Sequence, residues 1–182
     1  MELSIVSNLK RSMIIGDRGY FAVEYSFADG YPNDMGYGRI WVKNKFIGTY
    51  KDLIFLAGYL LKTLNEFKES KDLDDDLKHL SKEQLFHLFC TDENGSFRKY
   101  LIRGATFTDD FSIWTYRLNG LTYFLWKVTR TDFFEDLNDY DQNVFLESIL
   151  TDKLDEVINK LKTEIKTRES SKGDEMFPRQ HL

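Results

Sequence analysis

The dipeptide Asn119-Gly120 constrains this chain more tightly than any other feature of it. Asn-Gly tolerates the positive φ angles of a two-residue type I′ turn. It is flanked by Phe111–Leu118 and Leu121–Thr129, two runs rich in aromatic and β-branched residues. A turn of that length sets one register. Leu118 opposes Leu121, Tyr116 opposes Tyr123 and Trp114 opposes Leu125; on the other face Ile113 opposes Trp126 and Phe111 opposes Val128. Both faces are apolar along much of their length. Such a hairpin is either central and covered on both sides, or keeps one face for a partner.

The chain before it reads as further strands and amphipathic helices. Met13–Ile15 and Tyr20–Phe27 have strand character, joined by a turn at Gly16-Asp17-Arg18-Gly19. In the longer strand, Phe21, Val23, Tyr25 and Phe27 point one way and Ala22, Glu24 and Ser26 the other. A Gly-, Pro-, Asn- and Asp-rich loop follows at 28–36 and carries Tyr31 and Met35. Arg39–Val42 continues as a strand, and Lys43-Asn44-Lys45 turns it back into Phe46-Ile47-Gly48. Thr49, with Asp52 three residues on, reads as the capping box of a helix over about 50–68, whose apolar face is Leu53, Ala57, Leu60, Leu64 and Phe67. Residues 69–80 are polar and acidic, a linker or weak helix. Ser81 and Gln84 form a second capping box for a short helix at about 82–90. Phe97–Thr106 reads as a strand broken near Gly104. Residues 130–142 are an acidic loop, Asn143–Leu150 a last strand, and Thr151 the cap of a helix over about 152–167 lined by Leu154, Val157, Ile158, Leu161 and Ile165. The expected fold is α+β: an antiparallel sheet of about six to eight strands with two to four helices packed on it. One domain spans 1–168, and 169–182 is a polar, flexible tail. Residues 1–10 are a short strand or a loose arm, and Met13 offers an alternative start.

Composition narrows the function. The formal net charge is −5, and acids cluster at Asp72, Asp74, Asp75 and Asp76 and again at Asp132, Glu135, Asp136, Asp139 and Asp141. That balance argues against direct nucleic-acid binding, which favours a basic stripe; the nearest approach is Arg98, Lys99, Tyr100 and Arg103 beside Trp114, Tyr116 and Arg117. An acidic surface suits a basic protein partner. The single cysteine, Cys90, excludes an intrachain disulfide and fits a reducing cytoplasm; its apolar setting, Leu-Phe-His-Leu-Phe-Cys, predicts a buried thiol. Residues 1–12 lack the apolar core of a secretory signal. The longest apolar patch, Leu53–Leu61, is half the length of about 18 residues that a membrane span needs.

No constellation points to catalysis or to a cofactor. Neither GxxxxGK[ST] nor GxGxxG follows the glycines near residue 16, and there is no GxSxG. In a continuous helix His79, His87 and Cys90 would lie on broadly similar faces, but zinc needs three or four converging ligands. A His87–Cys90 pair at i, i+3 is the nearest thing to an activated nucleophile.

Two segments resemble a family of small bacterial immunity proteins, the partners of contact-dependent and other polymorphic toxins. Met-Ile-Ile-Gly-Asp-Arg-Gly-Tyr-Phe-Ala-Val-Glu-Tyr, from Met13 to Tyr25, is similar to the opening of those proteins. Gly-Arg-Ile-Trp-Val-Lys-Asn-Lys-Phe-Ile-Gly, from Gly38 to Gly48, is similar to their Trp-bearing strand, short turn and Ile-Gly before a helix. The match covers about 12–62, and the later aromatic hairpin and C-terminal helix suit it. The resemblance implies a cytoplasmic, non-enzymatic protein without cofactors or metals. It would bind the C-terminal domain of one toxin and block it stoichiometrically; many such toxins are nucleases and therefore basic. The family supplies no fixed contact set. Exposed acids and aromatics suggest Tyr31, Asp72, Asp74, Asp75, Asp76, Phe133, Phe134, Glu135, Asp136, Asp139, Tyr140 and Asp141. The competing readings are an intracellular adaptor unrelated to toxins, and an enzyme built around His87 and Cys90.

Overall fold

The computed structural model describes residues 12–31 and 34–173. The arm expected at 1–10 and the chain beyond 173 lie outside the described residues. Among the described residues nine strands form two sheets, one of five strands and one of four, and three α-helices complete the α+β architecture. In the first sheet β1 (Met13–Asp17), β2 (Phe21–Phe27), β3 (Met35–Val42) and β4 (Lys45–Ile47) run antiparallel in that order. The short β5 (Ile54–Phe55) also pairs with β3. In the second, β6 (Lys71–Asp72), β7 (Phe111–Leu118), β8 (Leu121–Val128) and β9 (Phe145–Leu150) are adjacent in order, with β6 parallel to β7 and the rest antiparallel. The single antiparallel sheet expected from the sequence is thus two sheets, one of them with a parallel edge. Alternation within a strand shows which residues share a face but not which strands are neighbours.

The β7–β8 hairpin has the register its turn dictates, from Leu118 opposite Leu121 to Phe111 opposite Val128. Asn119 and Gly120 both take positive φ, 52° and 78°. Lys43 and Asn44 do the same between β3 and β4, at 50° and 65°. Both faces of the β7–β8 hairpin are covered. Ile113, Phe124, Trp126 and Val128 join the main apolar cluster, which draws on both sheets, on the helical stretch 56–68 and on α3 (Thr151–Gly173). Within it the Phe124 ring stacks on Phe21 at 5.8 Å and meets Phe67 edge-on at 5.1 Å. Trp114, Tyr116 and Leu125 face the other way into a smaller cluster with Leu73, Leu77, Tyr100 and, from α2 (Lys82–Cys90), Leu85 and Phe89. A fully buried side chain of this size contributes about 1.5–3 kcal/mol, so both layers add materially to stability.

α2 starts at Ser81 with the expected capping box: Gln84 N–H donates to the Ser81 hydroxyl at 3.2 Å, and Ser81 N–H donates to Gln84 Oε1 at 2.8 Å. The helix expected from residue 50 begins later. Ile54 and Phe55 pair with Gly36 and Met35, and the helix opens with a π-type turn at Leu56–Leu61 before α1 (Lys62–Lys68). Thr49 and Asp52 do not cap it. The buried Thr49 hydroxyl donates to Asp136 at 2.7 Å, and Asp52 accepts from Thr106 at 2.5 Å. Phe97–Thr106 is not a strand but a 3₁₀ turn at Arg98–Tyr100 followed by a single bridge from Leu101 to Trp114. Burial of the Tyr100 ring, whose hydroxyl accepts from Asp74 N–H at 3.0 Å, holds the chain in that turn. α3 runs on to Gly173, into the segment expected to be a tail.

Candidate functional site

The segment between β8 and β9 is irregular yet tied down at several points. Thr129 N–H donates to the Asp110 carbonyl at 2.7 Å, and the Arg130 guanidinium lies 2.6 Å from the Asp110 carboxylate, whose side chain is buried. A 3₁₀ turn at Glu135–Leu137 delivers Leu137 to the main core, fully buried. Asp136 accepts from the Thr49 hydroxyl at 2.7 Å and from Tyr50 N–H at 2.8 Å. The Tyr140 hydroxyl accepts from the Trp126 indole at 3.0 Å and donates to the Phe46 carbonyl. Burial pushes the Tyr140 phenol up to about 12, with Trp126 pulling the other way. What remains outward is Phe133, 67% exposed, with Asp132, Glu135, Asp139 and Asp141 around it in the chain.

Behind this segment stands a buried charge network that strand alternation alone does not reveal. Glu24 is only 5% exposed. Its carboxylate lies 2.9 Å from each of Arg18 and Arg39 and accepts from the Trp41 indole at 2.9 Å. The Arg18 and Arg39 guanidinium groups flank the Trp41 ring at 4.6 and 4.7 Å, and Arg39 also lies 4.7 Å from the Phe46 ring. Arg39 reaches Asp136 at 3.9 Å, which ties the network to the acidic segment. Burial by itself would raise the Glu24 carboxyl; hydrogen bonds from Arg39 and Trp41 and the Arg39 charge outweigh it and hold the group below the usual glutamate range. The signal present in the sequence was a glutamate opposite an arginine, Glu24 facing Arg39 across β2 and β3, with Trp41 two residues along on the same face.

The twelve candidate contact residues fall into separate places. Phe133 and Phe134 pack edge-to-face at 4.7 Å, Glu135 lies 3.6 Å from Lys51, and Asp141 accepts from Asn143 N–H at 2.9 Å. Asp136 and Tyr140 turn their polar atoms inward, as described. Asp72, Asp74, Asp75 and Asp76 lie in and just after β6, one outer strand of the second sheet, whereas the 130–141 segment leads into β9, the opposite outer strand. Asp74 pairs with Lys99 at 2.6 Å, which holds its carboxyl below and the Lys99 ammonium above their ordinary values. Asp72, Asp75 and Asp76 are exposed, and Asp75 pairs with Lys78 at 2.5 Å. Tyr31, 52% exposed, sits in the turn after β2.

A cleft of about 450 Å³ runs beside β9, lined by Lys45, Lys82, Lys127, Asp141, Phe145 and Glu147. Its lining carries the Lys45–Glu147 pair at 3.0 Å and charges of both signs. Cys90 is exposed rather than buried. It is the last residue of α2; Leu85 and Phe89 take the inward face, and a step of one residue turns the thiol away. Partial burial nonetheless pushes that thiol up, against the nearby Lys127 charge. Among the described residues no group of three or more His, Cys, Asp or Glu side chains is placed to hold a metal ion, and no helix is long and apolar enough to cross a membrane.

Fold and site together describe an α+β scaffold to which an aromatic, acidic segment is tied by Asp136, Leu137 and Tyr140. The chain belongs to the family described as Immunity protein 42, whose model matches residues 13–164. It is thus an immunity protein, of the class that neutralises toxins, with a protein as its partner. The crystal structure of CdiI from Burkholderia dolosa has the same fold, with a TM-score of 0.58 over 84% of this chain and 99% of that one, at 12% identity. No curated protein sequence matches the chain.

Proposed function

We propose that this protein protects the cell that makes it by binding the C-terminal domain of one cognate toxin in the cytoplasm and covering its active site or substrate surface, without turnover. The observation that carries this reading is the family match over residues 13–164. The likeness in fold to CdiI supports placing the toxin in a contact-dependent inhibition or other polymorphic toxin system. The net charge of −5 favours a basic toxin, of which a nuclease is the expected kind. The proposed contacts are Tyr31 and the two acidic segments, 72–76 and 132–141.

Calorimetry with the toxin domain encoded next to this gene tests the reading. A one-to-one complex of nanomolar affinity, with loss of toxin activity, is the expected result. Absence of a complex, or a complex that leaves the toxin fully active, overturns it.

A further inference from the structure

We infer that the toxin is met through the 130–141 segment, with Phe133 as its apolar anchor, and that the surface it meets is basic and carries an apolar pocket. The inference rests on the toxin-neutralising reading and deepens it by choosing between the two acidic segments.

Phe133 is the starting point, because it is the most exposed large apolar side chain described, at 67%. A phenylalanine left in water forgoes its burial energy. Here it is held out. Its ring rests edge-on against Phe134 at 4.7 Å, and the Arg130 guanidinium lies 5.2 Å from its centroid. Arg130 is itself fixed by the buried Asp110 carboxylate at 2.6 Å. The segment beyond is anchored by Leu137 in the core, by Asp136 on Thr49 and Tyr50, and by Tyr140 on Trp126. A binding segment ordered before it meets its partner avoids the cost of ordering on contact. Aromatic side chains of this kind are the usual high-energy positions of an interface.

Charge decides the kind of partner. Arg130 is paired with Asp110, Lys51 lies 3.6 Å from Glu135, and Lys45, which lines a hollow with Asp139 and Asp141, is paired with Glu147. Asp132, Glu135, Asp136, Asp139 and Asp141 against the single cation Arg130 give the 130–141 segment a negative sign. That sign steers a basic surface toward Phe133. The 72–76 segment is also acidic but offers no apolar anchor. Lys99 and Lys78 already pair with Asp74 and Asp75, and the segment holds no aromatic side chain.

The test is calorimetry and stopped-flow association of the full chain with the cognate toxin domain. Phe133→Ala is expected to weaken the complex by about 30-fold or more, mainly through faster dissociation. Asp139→Lys is expected to slow association and flatten its salt dependence, while Asp75→Lys and Asp76→Lys change affinity by less than about twofold. Hydrogen exchange on the wild-type complex is expected to slow across 130–141 and not across 72–76. Full affinity in Phe133→Ala with unchanged exchange at 130–141 overturns this inference alone. Failure of the wild-type protein to bind the toxin overturns the toxin-neutralising reading, and this inference with it.

Discussion

Glu24 shows how one residue can decide a local arrangement. A buried carboxylate is costly unless its charge is matched, and here two guanidinium groups and an indole N–H match it. Removing the charge leaves Arg39 facing Asp136 at the longer distance of 3.9 Å. Glu24→Gln is expected to lower stability by about 2 kcal/mol at pH 7 in urea unfolding. The pH dependence follows from the direction of its shift. The folded carboxyl titrates below the ordinary value of 4.5, so its contribution is complete above that pH and is lost as the pH falls through the folded value. The gap between wild type and Glu24→Gln should therefore narrow from pH 7 to pH 3. A gap of equal size at both would mean that shape, not charge, is what Glu24 contributes.

Among the elements, the β7–β8 hairpin is the best specified by local sequence. A Cβ at Gly120 would meet no heavy atom within 4 Å, so the cost of Gly120→Ala lies only in the backbone, held at φ 78°. The expected loss is about 1 kcal/mol, seen as a lower urea midpoint with an unchanged slope. Asn119→Gly, which accepts the same conformation, should be close to neutral. The 54–68 stretch shows the opposite case. Its helical spacing was legible and Leu60, Leu64 and Phe67 are buried as that spacing requires, but pairing of Ile54 and Phe55 with β3 delays the helix. Thr49 looked like a cap because its spacing to Asp52 was right; a carboxylate 87 residues away, Asp136, takes its hydroxyl instead.

At the scale of the molecule, the two apolar clusters share one hairpin. Trp126 belongs to the larger cluster and Trp114 to the smaller, on opposite faces of β7 and β8. Loss of either cluster bares a face of the same hairpin, so the two should not melt independently. Tryptophan fluorescence and far-ultraviolet circular dichroism are expected to report one coincident urea transition. Two separated transitions would show that the layer of β6 and α2 unfolds by itself.

The sequence by itself determined what short-range chemistry determines: the Asn-Gly register, the Ser81 capping box, the inward faces of α1 and α3, and the acidic sign of two segments. Those follow from backbone conformation, side-chain periodicity and charge, which neighbours in the chain supply. Only the tertiary structure decided that the strands divide into two sheets, that Glu24 is buried between arginines, that Phe97–Thr106 folds as turns, and that Asp136 and Tyr140 support the acidic segment while Phe133 is held out from it. Each of these depends on groups tens of residues apart meeting in a low-dielectric interior, where an unmatched charge or an unmade hydrogen bond is costly enough to override local preference.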